Sequence, residues 1–174
     1  MLTQVFRRWS LRRRLDRRVP DFTAVNRIVV MCTANRVRSP FAALYLLRRL
    51  PESVHVISRG VLPGGPGCPA DAIAAGALQG LDMSRHEART VTATELLTTD
   101  LVLTMELRMA HELAVMFPAV ARCIVPLGYF DASRRVDDIF DPFMLPRAEY
   151  VKAYDLIARC CDGLLHEMGC SQAT

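Results

Sequence analysis

No run of uncharged apolar residues in this sequence approaches the about 18 needed to cross a bilayer, so no membrane-spanning helix is expected. Glycine and proline are scarce, at 9 and 10 of 174 residues, which excludes collagen-like and low-complexity classes. Six cysteines at positions 32, 68, 123, 160, 161 and 170 lack the density and even spacing of a secreted disulfide scaffold, so a reducing compartment is expected. The N-terminus has positive charge but no continuous apolar segment followed by a small-residue cleavage site, and so does not read as a secretory signal. Cytoplasmic location is the resulting expectation.

What is present is an apolar fraction of 51% with 23% charged residues, enough for one sizeable core and too apolar for disorder along the whole length. The net charge of +4 is concentrated at one end. Residues 1–26 carry seven Arg (Arg7, Arg8, Arg12, Arg13, Arg14, Arg17, Arg18) against Asp16 and Asp21, and the remainder is close to neutral. The chain therefore divides into a basic arm over 1–26, disordered or helical, and a domain over 27–174. A near-neutral body excludes a main surface that binds nucleic acid. The arm also holds Val5, Phe6, Trp9, Leu11, Leu15 and Val19, which suits weak contact with an anionic membrane surface.

From Arg27 onward, apolar runs of strand length alternate with stretches of helical period, the pattern of a parallel sheet covered on both faces. Strands are expected at Ile28–Met31, Val54–Ile57, Leu101–Met105 and Ile124–Leu127, the last at an edge because it contains Pro126. Helices are expected from Pro40 to Leu50, from Pro69 to a stop at Gly80, from the third strand to Phe117, and at the C-terminus. There Tyr150, Tyr154, Ile157, Cys161, Leu164 and Met168 form one stripe. Residues 128–146 read as a polar loop. The fold class is thus a three-layer α/β domain with a central parallel four-stranded sheet flanked by helices and a phosphate-binding loop after the first strand.

That loop, Cys32-Thr33-Ala34-Asn35-Arg36-Val37-Arg38-Ser39, lies at the carboxyl end of the first strand, where open α/β sheets bind ligands. Feeding a helix N-terminus, it converges backbone N–H groups and the positive end of the helix dipole on one point. Arg38, six residues after Cys32, supplies a planar fork of donors for phosphate oxygens. The same field favours thiolate over thiol at Cys32, and Ser39 is placed to donate to the sulfur. A thiolate below a bound phosphoryl group is a nucleophile. By chance a chain this rich in Cys and Arg holds on the order of one Cys-x5-Arg match, but adding the following Ser and the preceding buried strand makes the arrangement rare.

Transfer from a substrate oxygen needs a proton donor for the leaving group. Asp137-Asp138-Ile139-Phe140-Asp141-Pro142-Phe143 offers three carboxylates on a late loop, with Phe143 as an aromatic wall for a substrate ring.

With these residues the chain resembles the low-molecular-weight protein tyrosine phosphatases, over roughly residues 27–169. The likeness rests on Cys-x5-Arg-Ser after the first strand and Asp141-Pro142 on a late loop. It extends to Ser58-Arg59-Gly60, Pro69-Ala70-Asp71, His86-Glu87-Ala88-Arg89 and Met105-Glu106. The resemblance implies that Cys32 forms a phosphocysteine, that Arg38 clamps the phosphate, and that Asp141 acts as general acid and then as base for water. It implies that Asn35 holds the loop's strained conformation with help from Ser39, Ser58 and His86. It implies no metal or organic cofactor, and a phosphotyrosine-bearing protein as partner, with a tyrosine autokinase of polysaccharide export as one instance. The sequence departs from the family pattern at Ala34, where Gly is usual, at Val37, where a second Cys is frequent, and at Phe143-Met144, where two aromatics are usual.

Two other readings compete. A catalytically weak module that binds phosphorylated partners would have no use for Asp141. An arsenate reductase of similar fold needs two further cysteines on a nearby segment, and residues 69–122 contain none. Cys160, Cys161, His166 and Cys170 spread around a helix at 100° per residue and do not converge as metal ligands.

Overall fold

The computed structural model describes residues 21–133 and 138–170. Arg27–Cys32 forms β1, whose last five residues are buried, as expected for a β-branched central strand covered on both faces. It pairs in parallel with β2 (His55–Gly60) on one side and β3 (Leu101–Thr104) on the other, and β3 pairs in parallel with β4 (Ile124–Pro126). The order β2-β1-β3-β4 puts β4 at an edge, with Pro126 as its final residue, where a missing N–H costs no internal ladder bond.

The expected four-stranded sheet and its order of elements are present, with boundaries moved by one to three residues. The first helix, α1 (Arg38–Leu47), begins two residues earlier than Pro40, so that Arg38 and Ser39 sit in its first turn. Helices α2 (Ala70–Leu78), α4 (Leu107–Met116) and α5 (Arg147–Glu167) lie where the periodicity predicts them. A short helix not anticipated, α3 (Ala93–Leu97), is nucleated by a capping box in which the Thr92 hydroxyl accepts from the Glu95 N–H and the Glu95 carboxylate accepts from the Thr92 N–H.

The sheet separates two apolar layers. On one face Ile28, Val30, Leu101, Leu103 and Val125 meet α1, α2 and the α5 stripe, with Phe41 stacked on Tyr154 at 4.0 Å and 9°. On the other face Val29, Met31, Val102 and Ile124 meet Leu96 of α3 and Met109, Ala110 and Leu113 of α4. Phe22 and Val25 are also buried, and the Phe22 ring meets Phe130 edge-on at 5.1 Å. The stretch 21–26, read as the end of the arm, is thus held on the domain by two core side chains. The rest of the basic arm lies outside the described residues. No helix among those described is long and apolar enough to cross a membrane.

Candidate active site

Parallel register brings Cys32 opposite Gly60 and Met31 opposite Thr104, so the carboxyl ends of β1, β2 and β3 form one rim. The loop Thr33–Val37 rises from that rim and turns into α1. Its Thr33 carbonyl accepts from Val61 and Leu62 N–H at 3.0 and 2.9 Å, which anchors the loop to the end of β2.

The turn itself requires Asn35, which is fully buried with φ 52. Asn is among the few side chains that tolerate the left-handed region. Its Oδ1 accepts from Arg89 N–H at 2.9 Å, its Nδ2 donates to Ser39 Oγ at 3.0 Å, and its carbonyl accepts from His86 Nε2 at 2.7 Å. Burial, ahead of the positive charges of Arg59 and Arg89, holds the His86 imidazole below its ordinary value, although the bond to Asn35 pulls the other way. Ala34 keeps a negative φ, so its methyl group fits where Gly is usual. Gly64 accounts for the rim above it. A Cβ there would lie 1.9 Å from the Ala34 carbonyl oxygen, so only glycine lets the 64–67 segment rest on the loop's backbone.

Cys32 is 3% exposed and its sulfur lies 3.0 Å from Ser39 Oγ. Asn35 Nδ2 and Cys32 Sγ therefore both meet Ser39 Oγ, which ties the sulfur to the buried turn. Val37 is buried, and its carbonyl accepts from the Tyr154 hydroxyl at 3.3 Å, so the α5 stripe reaches the phosphate loop directly. Ser58 does not join this network. It sits in β2 opposite Val30, and among the described residues its hydroxyl makes no hydrogen bond to the loop. The bond is made instead by its neighbour, whose carbonyl (Arg59) accepts from Ser39 Oγ at 3.4 Å.

Arg38 is 1% exposed and held from three sides. Nη1 donates to Glu106 Oε1 and to the Ile139 carbonyl, both at 2.8 Å, while Nη2 donates to Asp141 Oδ2 at 2.6 Å and to Thr33 Oγ1 at 3.4 Å. Its Nε is buried and has no hydrogen-bond partner among the described residues. A buried N–H without an acceptor is costly, so an oxygen-rich anion at that point would relieve it.

Asp141 reaches Arg38 because the late loop is stitched to the end of β3. Ile139 N–H donates to the Met105 carbonyl at 2.8 Å, and Asp138 Oδ1 accepts from Leu107 N–H at 2.6 Å. That second bond explains a detail of α4. Its N-cap, Glu106, makes no capping bond because its carboxylate is turned to Arg38, and Asp138 takes the orphaned N–H in its place. Asp137, the third carboxylate of the loop, lies outside the described residues. Phe143 is 43% exposed, its N–H donates to Asp141 Oδ1 at 3.1 Å, and its ring lies 5.4 Å from the Arg36 guanidinium.

The signal for Glu106 as a partner of Arg38 was present only as a carboxylate at the end of a strand adjacent to β1. Two cysteines outside the loop serve the interior. Cys160 and Cys161 are core residues whose thiols burial pushes up, Cys160 to about 12. Burial likewise pushes the half-buried Cys68 thiol to about 12, and the nearby Cys32 adds to the effect.

Known proteins are similar to this chain in sequence and fold. The family model described as low molecular weight phosphotyrosine protein phosphatase matches residues 27–173. The chain is 32% identical over 140 residues to the probable low molecular weight protein-tyrosine-phosphatase EpsP of Ralstonia nicotianae, covering 79% of this chain and 92% of that one. It is 34% identical over 136 residues to the low molecular weight protein-tyrosine-phosphatase Wzb of Salmonella typhi, covering 77% and 88%. Among solved structures, the YwlE arginine phosphatase of Geobacillus stearothermophilus superposes with a TM-score of 0.75 at 27% identity, over 83% of this chain and 93% of that one. A buried Cys–Arg loop, a carboxylate delivered to it by a late loop, and sequence likeness spanning the whole domain have one common source: the chain belongs to the low molecular weight phosphotyrosine protein phosphatase family.

Proposed function

We propose that the protein hydrolyses phosphotyrosine in proteins through a phosphocysteine intermediate on Cys32. The observation that carries this reading is the Arg38 side chain, buried beside the Cys32 loop with its Nε lacking an acceptor and its Nη2 bonded to Asp141. A phosphoryl group seated in the loop would accept from Nε and from the backbone N–H groups of Thr33 to Val37, which with Ser39 make up the phosphate-binding loop.

The Cys32 sulfur then attacks phosphorus in line with the ester oxygen. The S–P bond forms, the P–O bond breaks, and Asp141, which takes up a proton when the phosphoryl group displaces it from Arg38, gives that proton to the departing tyrosine oxygen. In the second half Asp141, now a carboxylate, takes a proton from water as it attacks phosphorus, the S–P bond breaks, and inorganic phosphate leaves with the sulfur restored. Donors fixed before the reaction stabilise the charge that builds on the three equatorial oxygens, and such preorganisation supplies most of the catalysis in phosphoryl transfer. Phe143, next to Asp141, is the wall against which the tyrosine ring lies. His86 and Asn35 act on the loop from behind and touch no substrate.

EpsP and Wzb are named as protein tyrosine phosphatases, and their similarity to this chain supports phosphotyrosine as the substrate class. As physiological partner we propose a tyrosine autokinase of polysaccharide export. A cytoplasmic location suits a reaction that needs a free cysteine, and none of the six cysteines is in a disulfide. We assign residues 27–174 to the catalytic domain and the basic N-terminal arm to weak contact with an anionic membrane surface.

Rapid mixing with a radiolabelled phosphotyrosine peptide, followed by quenching and peptide mapping, tests the central step. Label on the Cys32 peptide during turnover is the expected result. Cys32→Ser hydrolysing an aryl phosphate at the wild-type rate would overturn the assignment. A parallel profile on phosphotyrosine, phosphoserine, phosphoarginine and small aryl phosphates tests the substrate class.

A further inference from the structure

Arg36 is half-buried at the mouth of the site, and its position is set from two sides. Its Nε donates to the Gly67 carbonyl at 3.1 Å, in the rim that rests on the phosphate loop. Its guanidinium lies 5.4 Å from the centroid of Phe143, on the loop that carries Asp141. Neither Nη1 nor Nη2 has a hydrogen-bond partner among the described residues. Among the described residues Arg36 has no carboxylate within ion-pairing distance, whereas its loop neighbour Arg38 is paired with Glu106 and Asp141.

An arginine tethered through one nitrogen and set near an aromatic ring, with two nitrogens left over, has already lost part of the freedom that a surface arginine must give up to bind. The phosphoryl group itself is met deeper, by Arg38. A substrate tyrosine seated against Phe143, as proposed above, would bring its neighbouring residues close to this guanidinium.

We propose that Arg36 is a specificity-determining residue that takes a carboxylate from an aspartate or glutamate beside the phosphotyrosine, so that the protein prefers acidic phosphopeptides. This rests on the phosphatase reading above and adds the sequence context of the substrate. The contact is made in ground state and transition state alike, so the preference falls on KM more than on kcat.

The test compares one phosphotyrosine peptide with its neighbours as Asp, Asn or Lys, in the wild type, Arg36→Gln and Arg36→Lys. The ratio of kcat/KM values within each protein is the readout, which removes any general effect of changing a phosphate-loop residue. Wild type should favour Asp over Asn by about three- to tenfold at low salt, the range of one charge-assisted bond at a half-exposed site, and less at high salt. Arg36→Gln should bring the ratio to within about twofold. Arg36→Lys, which keeps the charge without the planar fork of donors, should fall between them. An equal ratio in wild type and Arg36→Gln overturns the proposal. Hydrolysis of p-nitrophenyl phosphate in the same preparations reports separately on the phosphatase reading. Should that activity be absent, binding of the three peptides to the Cys32→Ser protein by calorimetry decides the Arg36 assignment alone, with equal affinities overturning it.

Discussion

Arg38 Nη2 and Asp141 Oδ2 lie 2.6 Å apart, so the proposed phosphate clamp and the proposed proton donor are bonded to each other although 103 residues separate them in the chain. Arg38 is 1% exposed and Asp141 41%, so the pair straddles the boundary between interior and mouth. An incoming phosphoryl dianion approaches the arginine that this carboxylate already engages.

Two consequences of that pair are separable. Asp141→Ala releases Nη2 and removes a negative charge facing the anion, so inorganic phosphate should inhibit more tightly, by about three- to tenfold. Asp141→Asn should lower turnover of phosphotyrosine by about 10²–10⁴-fold, the usual contribution of a positioned acid. The loss should shrink for p-nitrophenyl phosphate, whose leaving group needs little protonation. Steady-state kinetics over a series of aryl phosphates measures both, and equal losses for every leaving group would count against proton donation.

Glu106 acts on the site through Arg38, holding Nη1 at 2.8 Å and so fixing the guanidinium whose Nε has no partner among the described residues. Glu106→Ala should lower kcat/KM by about tenfold, in line with loss of one charge-assisted bond. Glu106→Gln keeps an acceptor oxygen and should recover most of that loss. If Gln and Ala are equally impaired, Glu106 works by its charge and not by positioning.

The His86 imidazole sits below its ordinary value, chiefly because it is buried. Unfolding exposes it and restores the ordinary value near 6.5, so the unfolded chain takes up the proton first as pH falls. This group's contribution to stability is therefore intact above about pH 6.5 and lost as pH falls through the lower folded value. Urea midpoints should drop between pH 7.5 and 5, and His86→Gln should flatten that part of the profile. An unchanged slope in the variant would place the pH dependence elsewhere.

The Tyr154 hydroxyl supports the phosphate loop through the Val37 carbonyl. Tyr154→Phe retains the stack on Phe41 and removes only this bond, which should cost about 1 kcal/mol. For a domain of this size that is a fall in Tm of about 2–4 °C. Calorimetry with and without phosphate checks it. The difference should narrow when phosphate holds the loop.

Elements with strong period were legible from the sequence because their pattern is local. The buried β1 and the α5 stripe from Tyr150 to Met168 are both found where the periodicity puts them. The Thr92-Glu95 capping box was equally local but governs only five residues, too few for a hydrophobic period to show. Ser58 failed to reach the phosphate loop because strand register, which no local pattern states, placed Arg59 there in its stead.

Sequence by itself determined the α/β class, the Cys32–Ser39 loop and its place after a buried strand, since these depend on residue type and spacing along one stretch of chain. Only the tertiary structure decided which carboxylates meet Arg38. Asp141 and Glu106 arrive there through Ile139 N–H on the Met105 carbonyl and Asp138 on the Leu107 N–H, bonds between segments over 30 residues apart. The reason is physical: a buried guanidinium must be matched by whatever acceptors the packed layers bring to it, and that choice is made by the closure of the sheet and its loops in space.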